Sequence, residues 1–267
     1  MSATISSEAS LLVQRFAALR QERRKALVVY VTAGHPDFER SVEVLRALEG
    51  AGADVIEVGV PFSDPMADGP VIQASSQRAL AQGMTYDKVL ELIARAALSV
   101  PVVLFSYLNP VLAAGPDALD RARSAGAHGV LITDLPVGSD PVLEQRFASG
   151  PLAFIRLVAP TTPSDRMAHI ARHGSGFVYL ISRLGVTGAR EKLPPELPET
   201  IARLRTATAL PICVGFGVST GEQAASVARL ADGVAVGSAI VRAVGESVER
   251  AATFARELRK AIDTAWD

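Results

Sequence analysis

The chain has 267 residues, is 49% hydrophobic and carries a formal net charge of −1 at pH 7. This balance provides no basic surface for nucleic acid or an anionic membrane, and no apolar run reaches the roughly eighteen residues of a spanning helix. The opening segment MSATISSEAS lacks the features of a signal peptide, and the lone Cys213 has no partner for an internal disulfide. We therefore expect a cytoplasmic protein without nucleic-acid or membrane partners.

Eight short runs rich in β-branched residues predict eight strands. They begin at Leu27, Asp54, Val102, Gly129, Leu152, Phe177, Pro211 and Gly233. None alternates cleanly between polar and apolar residues, which is typical of parallel strands covered on both faces. Helical patterns that open near Pro, Ser, Thr or Asp lie between them, so strand and helix alternate along the chain.

The number of these units indicates the fold class. Eight βα units in about 250 residues fit a closed (β/α)₈ TIM barrel better than an open doubly wound sheet, and no G-x-G-x-x-G follows the first strand. The sequence predicts one catalytic α/β domain spanning 1–267. It also predicts an extra helix near 11–24 that caps the barrel floor, two helices after strand 2 near 70–82 and 87–97, and an extra helix after strand 8.

The longest connections follow strands 2 and 6. The connection after strand 6 contains SRLGVTGAREKLPPELP, which we interpret as a lid. In a TIM barrel the loops at the carboxyl ends of the strands build the active site, and long loops there often close over substrate.

Glu57 is the first candidate for acid-base chemistry. Side chains alternate along a strand, so Ile56 and Val58 face the outer helices and Glu57 points into the barrel near its mouth. A carboxyl group in a half-apolar site has a raised pKa, as a general acid or base near neutral pH requires. The alternative is a structural glutamate that is ion-paired to Arg156 or Arg183.

Other candidates lie in the loops at the same end of the barrel. Asp68 follows Glu57 in a loop rich in Pro and Gly, where an aspartate is also a routine turn residue. The segments GFG at 215–217 and GSA at 237–239 follow strands 7 and 8, where barrels commonly bind phosphate with backbone N–H groups and a short helix. The helix SAIVRAV follows, and Gly185–Gly188 could add donors from the lid.

Lysine and histidine are sparse at the predicted strand ends. The lysines at 25, 88, 192 and 260 all lie elsewhere, so a Schiff-base mechanism has no obvious nucleophile. Of the four histidines only His35 is near the mouth, which makes a histidine-bound metal improbable. Cys213 in strand 7 is interpreted as core packing. We predict neither a metal nor an organic cofactor.

The motifs EVGVPFSDPMADGPVIQ, LFSYLNPVL, TDLPV, VYLISRLGVTG, GFGVS and VGSAIV occur in this order over nearly the whole chain. In sequence and order they resemble the tryptophan synthase alpha chain family. The resemblance implies a lyase of tryptophan biosynthesis, which cleaves indole-3-glycerol phosphate to indole and glyceraldehyde 3-phosphate without a metal or organic cofactor.

The resemblance also assigns roles. Glu57 matches the catalytic glutamate that protonates indole C3 and removes the glycerol hydroxyl proton, and Asp68 matches the aspartate that binds the indole N–H. The positions expected to bind substrate are Tyr30, Phe105, Tyr107, Tyr179, Thr187, Gly188, Gly217, Gly237 and Ser238. Two residues depart from the family pattern. Tyr30 stands where Phe is common and His35 where Asp is common, which leaves open the polarity of the pocket and the hydrogen bonding of the first loop.

The family further implies a partner. Its members dock on a pyridoxal-phosphate beta subunit in an α₂β₂ heterotetramer, and the segments PFSDP and TDLPV are the expected contact loops. Three alternatives remain open from the sequence. They are a different cofactor-free phosphosugar barrel, such as the indoleglycerol phosphate synthase or phosphoribosylanthranilate isomerase reactions, a lyase that works alone, and an inactive barrel that only activates a partner.

Overall fold

A computed structural model describes residues 10–181, 194–215 and 217–266. The strands are β1 (Ala26–Thr32), β2 (Val55–Gly59), β3 (Val102–Ser106), β4 (Ala127–Ile132), β5 (Ala153–Val158), β6 (Val178–Ile181), β7 (Ile212–Gly215) and β8 (Gly233–Val236). Each strand pairs in parallel with the next and β8 pairs with β1, so the sheet is a closed barrel. The predicted (β/α)₈ architecture is confirmed.

Twelve helices are found in the described part of the chain. They are α1 (Leu11–Gln21), α2 (Phe38–Gly50), α3 (Pro70–Ala81), α4 (Tyr86–Ala96), α5 (Leu108–Ala113), α6 (Ala118–Ser124), α7 (Pro141–Ala148), α8 (Ser164–Arg172), α9 (Leu197–Ala207), α10 (Gly221–Ala228), α11 (Ser238–Glu246) and α12 (Val248–Asp263), followed by a 3₁₀ turn at Thr264–Trp266. None of them is long and apolar enough to cross a bilayer. The expected extra helices after β2 and β8 are present. The short helix α5 was not predicted, because it has only six residues and one of them is Pro110. Pro110 lies in the first turn, where a helix tolerates proline.

Two apolar layers follow from the alternation of side chains along the strands. Ile56 and Val58 belong to the layer between barrel and helices, whereas Val55 belongs to the interior with Val103 and Leu131. The predicted orientation of β2 is therefore confirmed, and the orientation places Glu57 inside the barrel.

The amino-terminal helix closes the barrel floor, as predicted. Leu12, Phe16 and Leu19 of α1 are buried in the interior layer, and the ring centroid of Phe16 lies 5.5 Å from that of Phe177. On the same side, the buried carboxylate of Asp54 accepts hydrogen bonds from the Leu27 N–H and from Arg259 of α12, each at 2.8 Å. The opposite, carboxyl-terminal end of the barrel is left open for a site.

Candidate active site

A cleft of about 690 Å³, including its open mouth, lies at the carboxyl ends of the strands. Eight residues predicted from the sequence line it: Tyr30, Glu57, Asp68, Phe105, Tyr179, Gly217, Gly237 and Ser238. Thr187 and Gly188 lie outside the described residues, as does the predicted lid from 182 to 193. The end of the predicted lid is described, and Leu197 and Pro198 begin α9. Tyr107 is not part of the lining but contacts Asp68.

Glu57 occupies the bottom of the cleft. Its side chain is 1% exposed, and its buried Oε1 receives no hydrogen bond from a described residue. Burial raises the pKa of this carboxyl group to about 8 from the usual 4.5. Burying an unpaired carboxylate is costly, so the group is largely protonated at neutral pH and is able to act as an acid.

The alternative partner Arg156 is committed elsewhere. Its guanidinium donates to Glu144 at 3.0 Å and to the Leu135 carbonyl at 3.0 Å. It also lies over the Phe154 ring, with 3.8 Å between the guanidinium carbon and the ring centroid. Arg156 follows the inward-facing Ile155 and therefore points out of the barrel. The hypothesis of a Glu57–Arg156 ion pair is wrong, and Arg183 lies outside the described residues.

Asp68 lines the same cleft, in the loop before α3. The Tyr107 hydroxyl donates a hydrogen bond of 3.0 Å to Asp68 Oδ2. Burial raises the pKa of the carboxyl group to about 6, and the bond from Tyr107 opposes that rise because it favours the charged form. The two carboxyl groups of the cleft therefore differ, since Asp68 is mainly ionised at neutral pH and Glu57 mainly protonated.

Aromatic side chains form the apolar wall. The rings of Tyr30 and Phe105 meet edge to face, with centroids 5.2 Å apart. Tyr30 and Tyr179 are both buried, and burial raises the pKa of each phenol; the negative charge of Asp68 raises that of Tyr30 further. Both phenols therefore stay protonated and are able to donate hydrogen bonds. This wall suits a flat aromatic ligand that also carries polar groups.

An anion site adjoins the wall. Gly237 precedes α11, and Ser238 is the first residue of that helix, where backbone N–H groups and the helix dipole favour a negative charge. Gly217, in the loop after β7, lines the same part of the cleft. Its φ of +93° is a backbone conformation that favours glycine. Arg242 of α11 also lines the cleft, and no described acid pairs with its guanidinium.

Ala239 belongs to the predicted segment 237–239, but other lining residues were missed by sequence reasoning: Gly69, Ile72, Val218, Ser219 and Arg242. Ile72 and Arg242 lie inside helices whose orientation toward the cleft depends on packing between α3 and α11. His35, the other departure from the family pattern, is buried beside α11, and its Nδ1 has no hydrogen-bond partner among the described residues. The same part of the chain contains no group of three His, Cys, Asp or Glu residues that could hold a metal.

The barrel and its cleft define a (β/α)₈ enzyme, with a buried carboxyl group of raised pKa, a second carboxyl group, an aromatic wall and a helix amino terminus in one cleft. A family model described as tryptophan synthase alpha chain matches residues 16–265. The chain belongs to the tryptophan synthase alpha chain family.

Individual relatives agree over nearly the full length. The tryptophan synthase alpha chain of Desulfatibacillum aliphaticivorans is 49% identical over 243 residues, which cover 90% of this chain and 92% of the relative. The Synechococcus elongatus protein of the same name is 47% identical, with 93% and 95% covered. Among solved structures, a chain of Mycobacterium tuberculosis tryptophan synthase superposes with a TM-score of 0.88 and 37% identity, covering 96% of this chain and 99% of its own length. The alpha subunit from Legionella pneumophila gives 0.86 and 35%, with 96% and 99% covered.

Proposed function

We propose that this chain catalyses the alpha reaction of tryptophan biosynthesis, the retro-aldol cleavage of indole-3-glycerol phosphate to indole and glyceraldehyde 3-phosphate. The observation that carries the proposal is the buried Glu57, whose Oε1 has no partner among the described residues, in one cleft with Asp68, whose Oδ2 accepts from Tyr107. Burial raises the pKa of Glu57 to about 8 and that of Asp68 to about 6. The substrate is inferred from membership of the family. The aromatic wall suits its indole ring, and the anion site beside that wall suits its phosphate.

In the proposed mechanism the proton moves in two steps. Glu57 first gives its proton to indole C3, and the Asp68 carboxylate accepts the ring N–H and stabilises the positive charge that develops on the ring. The resulting Glu57 carboxylate then takes the proton from the hydroxyl on the carbon bonded to C3. The bond between that carbon and C3 breaks, its electron pair returns to the ring, and the carbon becomes the aldehyde of glyceraldehyde 3-phosphate.

The phosphate is held apart from the reacting atoms in this proposal. Backbone N–H groups near Gly217, Gly237 and Ser238 bind it, while the indole lies against Tyr30 and Phe105. We assign the lid residues Thr187 and Gly188 to substrate closure on the family resemblance alone. Anchoring the phosphate fixes C3 near Glu57, so binding energy is used for orientation.

The proposed chemistry needs only side chains and backbone. The described lining of the cleft contains no lysine for a Schiff base and no histidine cluster for a metal. Indole release from indole-3-glycerol phosphate should therefore persist in EDTA and after borohydride treatment in the presence of substrate. Loss of turnover with either reagent would contradict this mechanism, provided that the treated protein keeps its circular dichroism spectrum.

We also propose docking on a beta subunit in an α₂β₂ complex located in the cytoplasm. Five large hydrophobic side chains are exposed in the described part, and three follow the carboxyl ends of consecutive strands: Met66 after β2, Leu112 after β3 and Val142 after β4. Met66 is 87% exposed and Val142 79%. Met66 directly follows the predicted contact loop at 61–65, and Val142 lies in α7, five residues after the predicted contact loop at 133–137.

The test of the proposed function is indole release from indole-3-glycerol phosphate, measured with and without beta subunit. Release should occur in both arms and be faster at saturating beta subunit, which favours the closed lid. Met66→Asp should weaken co-elution with the beta subunit, whereas Leu230→Asp, at an exposed leucine before β8 at the opposite end of the barrel, should not. Release that is unchanged by beta subunit would favour a lyase that works alone, and no release would refute the proposal.

A further inference from the structure

The Tyr107 side chain connects the end of β3 to the loop after β2. Tyr107 directly follows β3 and is 6% exposed. Its hydroxyl accepts a hydrogen bond of 2.9 Å from the Ala67 N–H and donates one of 3.0 Å to Asp68 Oδ2. One hydroxyl group therefore binds two consecutive residues of the loop after β2.

The ring of Tyr107 contacts the beginning of the same loop. Its centroid lies 5.1 Å from that of Phe62, with 35° between the ring planes. The next backbone N–H, that of Leu108, donates 2.7 Å to Asp134 Oδ1 in the loop after β4. Phe62 and Asp134 lie in the two predicted contact loops. Both contact loops therefore touch the segment formed by Tyr107 and Leu108, in which Tyr107 binds Asp68.

We propose that Tyr107 is a positioning residue, which fixes the Asp68 carboxylate for the indole N–H and joins its orientation to the contact loop that contains Phe62. This inference rests on the proposed function and changes the predicted role of Tyr107 from substrate contact to support of Asp68. With Oδ2 bound to Tyr107, no described residue donates to Oδ1. That second oxygen is available to accept the N–H of the indole ring.

The charge on Asp68 depends on this bond. The Tyr107 phenol bonds to this carboxyl group, and the other titratable or charged groups that line the cleft with it are Tyr30, Tyr179, Glu57 and Arg242. The bond from Tyr107 lowers the pKa of Asp68 against the rise caused by burial. Without it the carboxyl group holds its proton to higher pH, and a protonated Asp68 accepts the indole N–H poorly.

Tyr107→Phe tests the proposal because it removes the hydroxyl and keeps the ring against Phe62. The first readout is the titration of the Asp68 carboxyl carbon by ¹³C NMR in the protein alone, assigned with Asp68→Asn. We expect the midpoint to rise by about one pH unit, the effect of losing one charge-assisted hydrogen bond. The second readout is kcat/KM, whose acid limb should move upward by the same amount, with about a fivefold loss at pH 6, where the parent carboxyl group is already half protonated.

Tyr86→Phe is the matched control. The Tyr86 hydroxyl donates 2.9 Å to the Ala118 carbonyl, far from the cleft lining, so its loss should change the melting temperature but not the Asp68 titration. An unmoved Asp68 midpoint in folded Tyr107→Phe would overturn the positioning role. The NMR arm is independent of turnover. A shifted midpoint in a protein that releases no indole would support the role of Tyr107 and contradict the proposed reaction.

Discussion

The Tyr179 hydroxyl lies directly over the Cα of Gly215 on the neighbouring strand, where a Cβ would be only 2.0 Å from the phenol oxygen. Tyr30 on β1 makes an equivalent contact with Gly59 on the adjacent strand β2, because a Cβ at Gly59 would lie 2.1 Å from the Tyr30 hydroxyl oxygen. Each phenol therefore fills the space that its neighbouring glycine leaves open. Because Gly59 and Gly215 have no side chains, both phenols fit into the aromatic wall of the cleft that contains Glu57.

Gly215→Ala should accordingly displace the Tyr179 ring, since the new methyl group would also lie 2.5 Å from the ring carbon that carries the hydroxyl. We expect a destabilisation of about 1–3 kcal/mol, typical of overpacking, and reduced indole release. In a Tyr179→Leu background, which lacks these atoms, the same substitution should cost little. A double-mutant cycle of unfolding free energies measures the coupling.

Gly50→Ala is the control for that cycle. Gly50 ends helix α2, and no atom beyond its chain neighbours and the local helix backbone lies within 4 Å of the position of a Cβ, so the substitution should be neutral or slightly stabilising. Additive effects of Gly215→Ala and Tyr179→Leu would show that the contact between the phenol and the glycine does not constrain the wall.

The two carboxyl groups predict a bell-shaped pH dependence of kcat/KM. Activity should rise through about pH 6 as Asp68 ionises and fall through about pH 8 as Glu57 loses the proton that it gives to C3. The substrate phosphate also titrates near pH 6, so the limbs are assigned with variants. The alkaline limb should be absent from the residual activity of Glu57→Gln. A profile that is flat between pH 7 and 9 in the parent would contradict the raised pKa.

The elements of this site that could be predicted from sequence are those that depend on local repetition. The orientation of Glu57 follows from alternation along β2, and the anion site follows from glycines at the ends of β7 and β8. The partner of Arg156 could not be predicted, because Glu144 reaches it from α7 and the choice depends on how that helix packs on β5. The bond from Tyr107 to Asp68 joins residues 39 positions apart, beyond any periodicity of the chain.

Arg242 yields a prediction about phosphate recognition. It lies one turn after Ser238, and side chains on a helix lean toward its amino terminus, so its guanidinium is directed toward the anion site. Arg242→Gln should weaken binding of indolepropanol phosphate, a non-cleavable analogue, about tenfold, the effect of one charge-assisted hydrogen bond. Binding of indole, which has no phosphate, should be unchanged. Arg229→Gln, at the end of α10, is the matched control.

Isothermal titration at two salt concentrations separates the alternatives for Arg242. A direct contact predicts that the parent loses more affinity with added salt than Arg242→Gln does. Equal affinity of the parent and Arg242→Gln for the phosphorylated analogue would show that the backbone donors alone hold the phosphate.

Glu57→Gln should change activity and stability in opposite directions. Glutamine keeps the size of the side chain but has no proton to exchange, so turnover should fall by about 10² to 10⁴, whereas the analogue should still bind because its phosphate is held elsewhere.

The folded-state pKa of Glu57 is raised to about 8 from 4.5, so the favourable contribution of its neutral form to stability is complete below about pH 4.5 and lost as pH rises through 8. Glutamine stays neutral throughout. In urea unfolding the variant should gain stability relative to the parent between pH 5 and pH 9, by up to about 4 kcal/mol. Parallel stability curves, or near-normal turnover in the folded variant, would return Glu57 to a structural role.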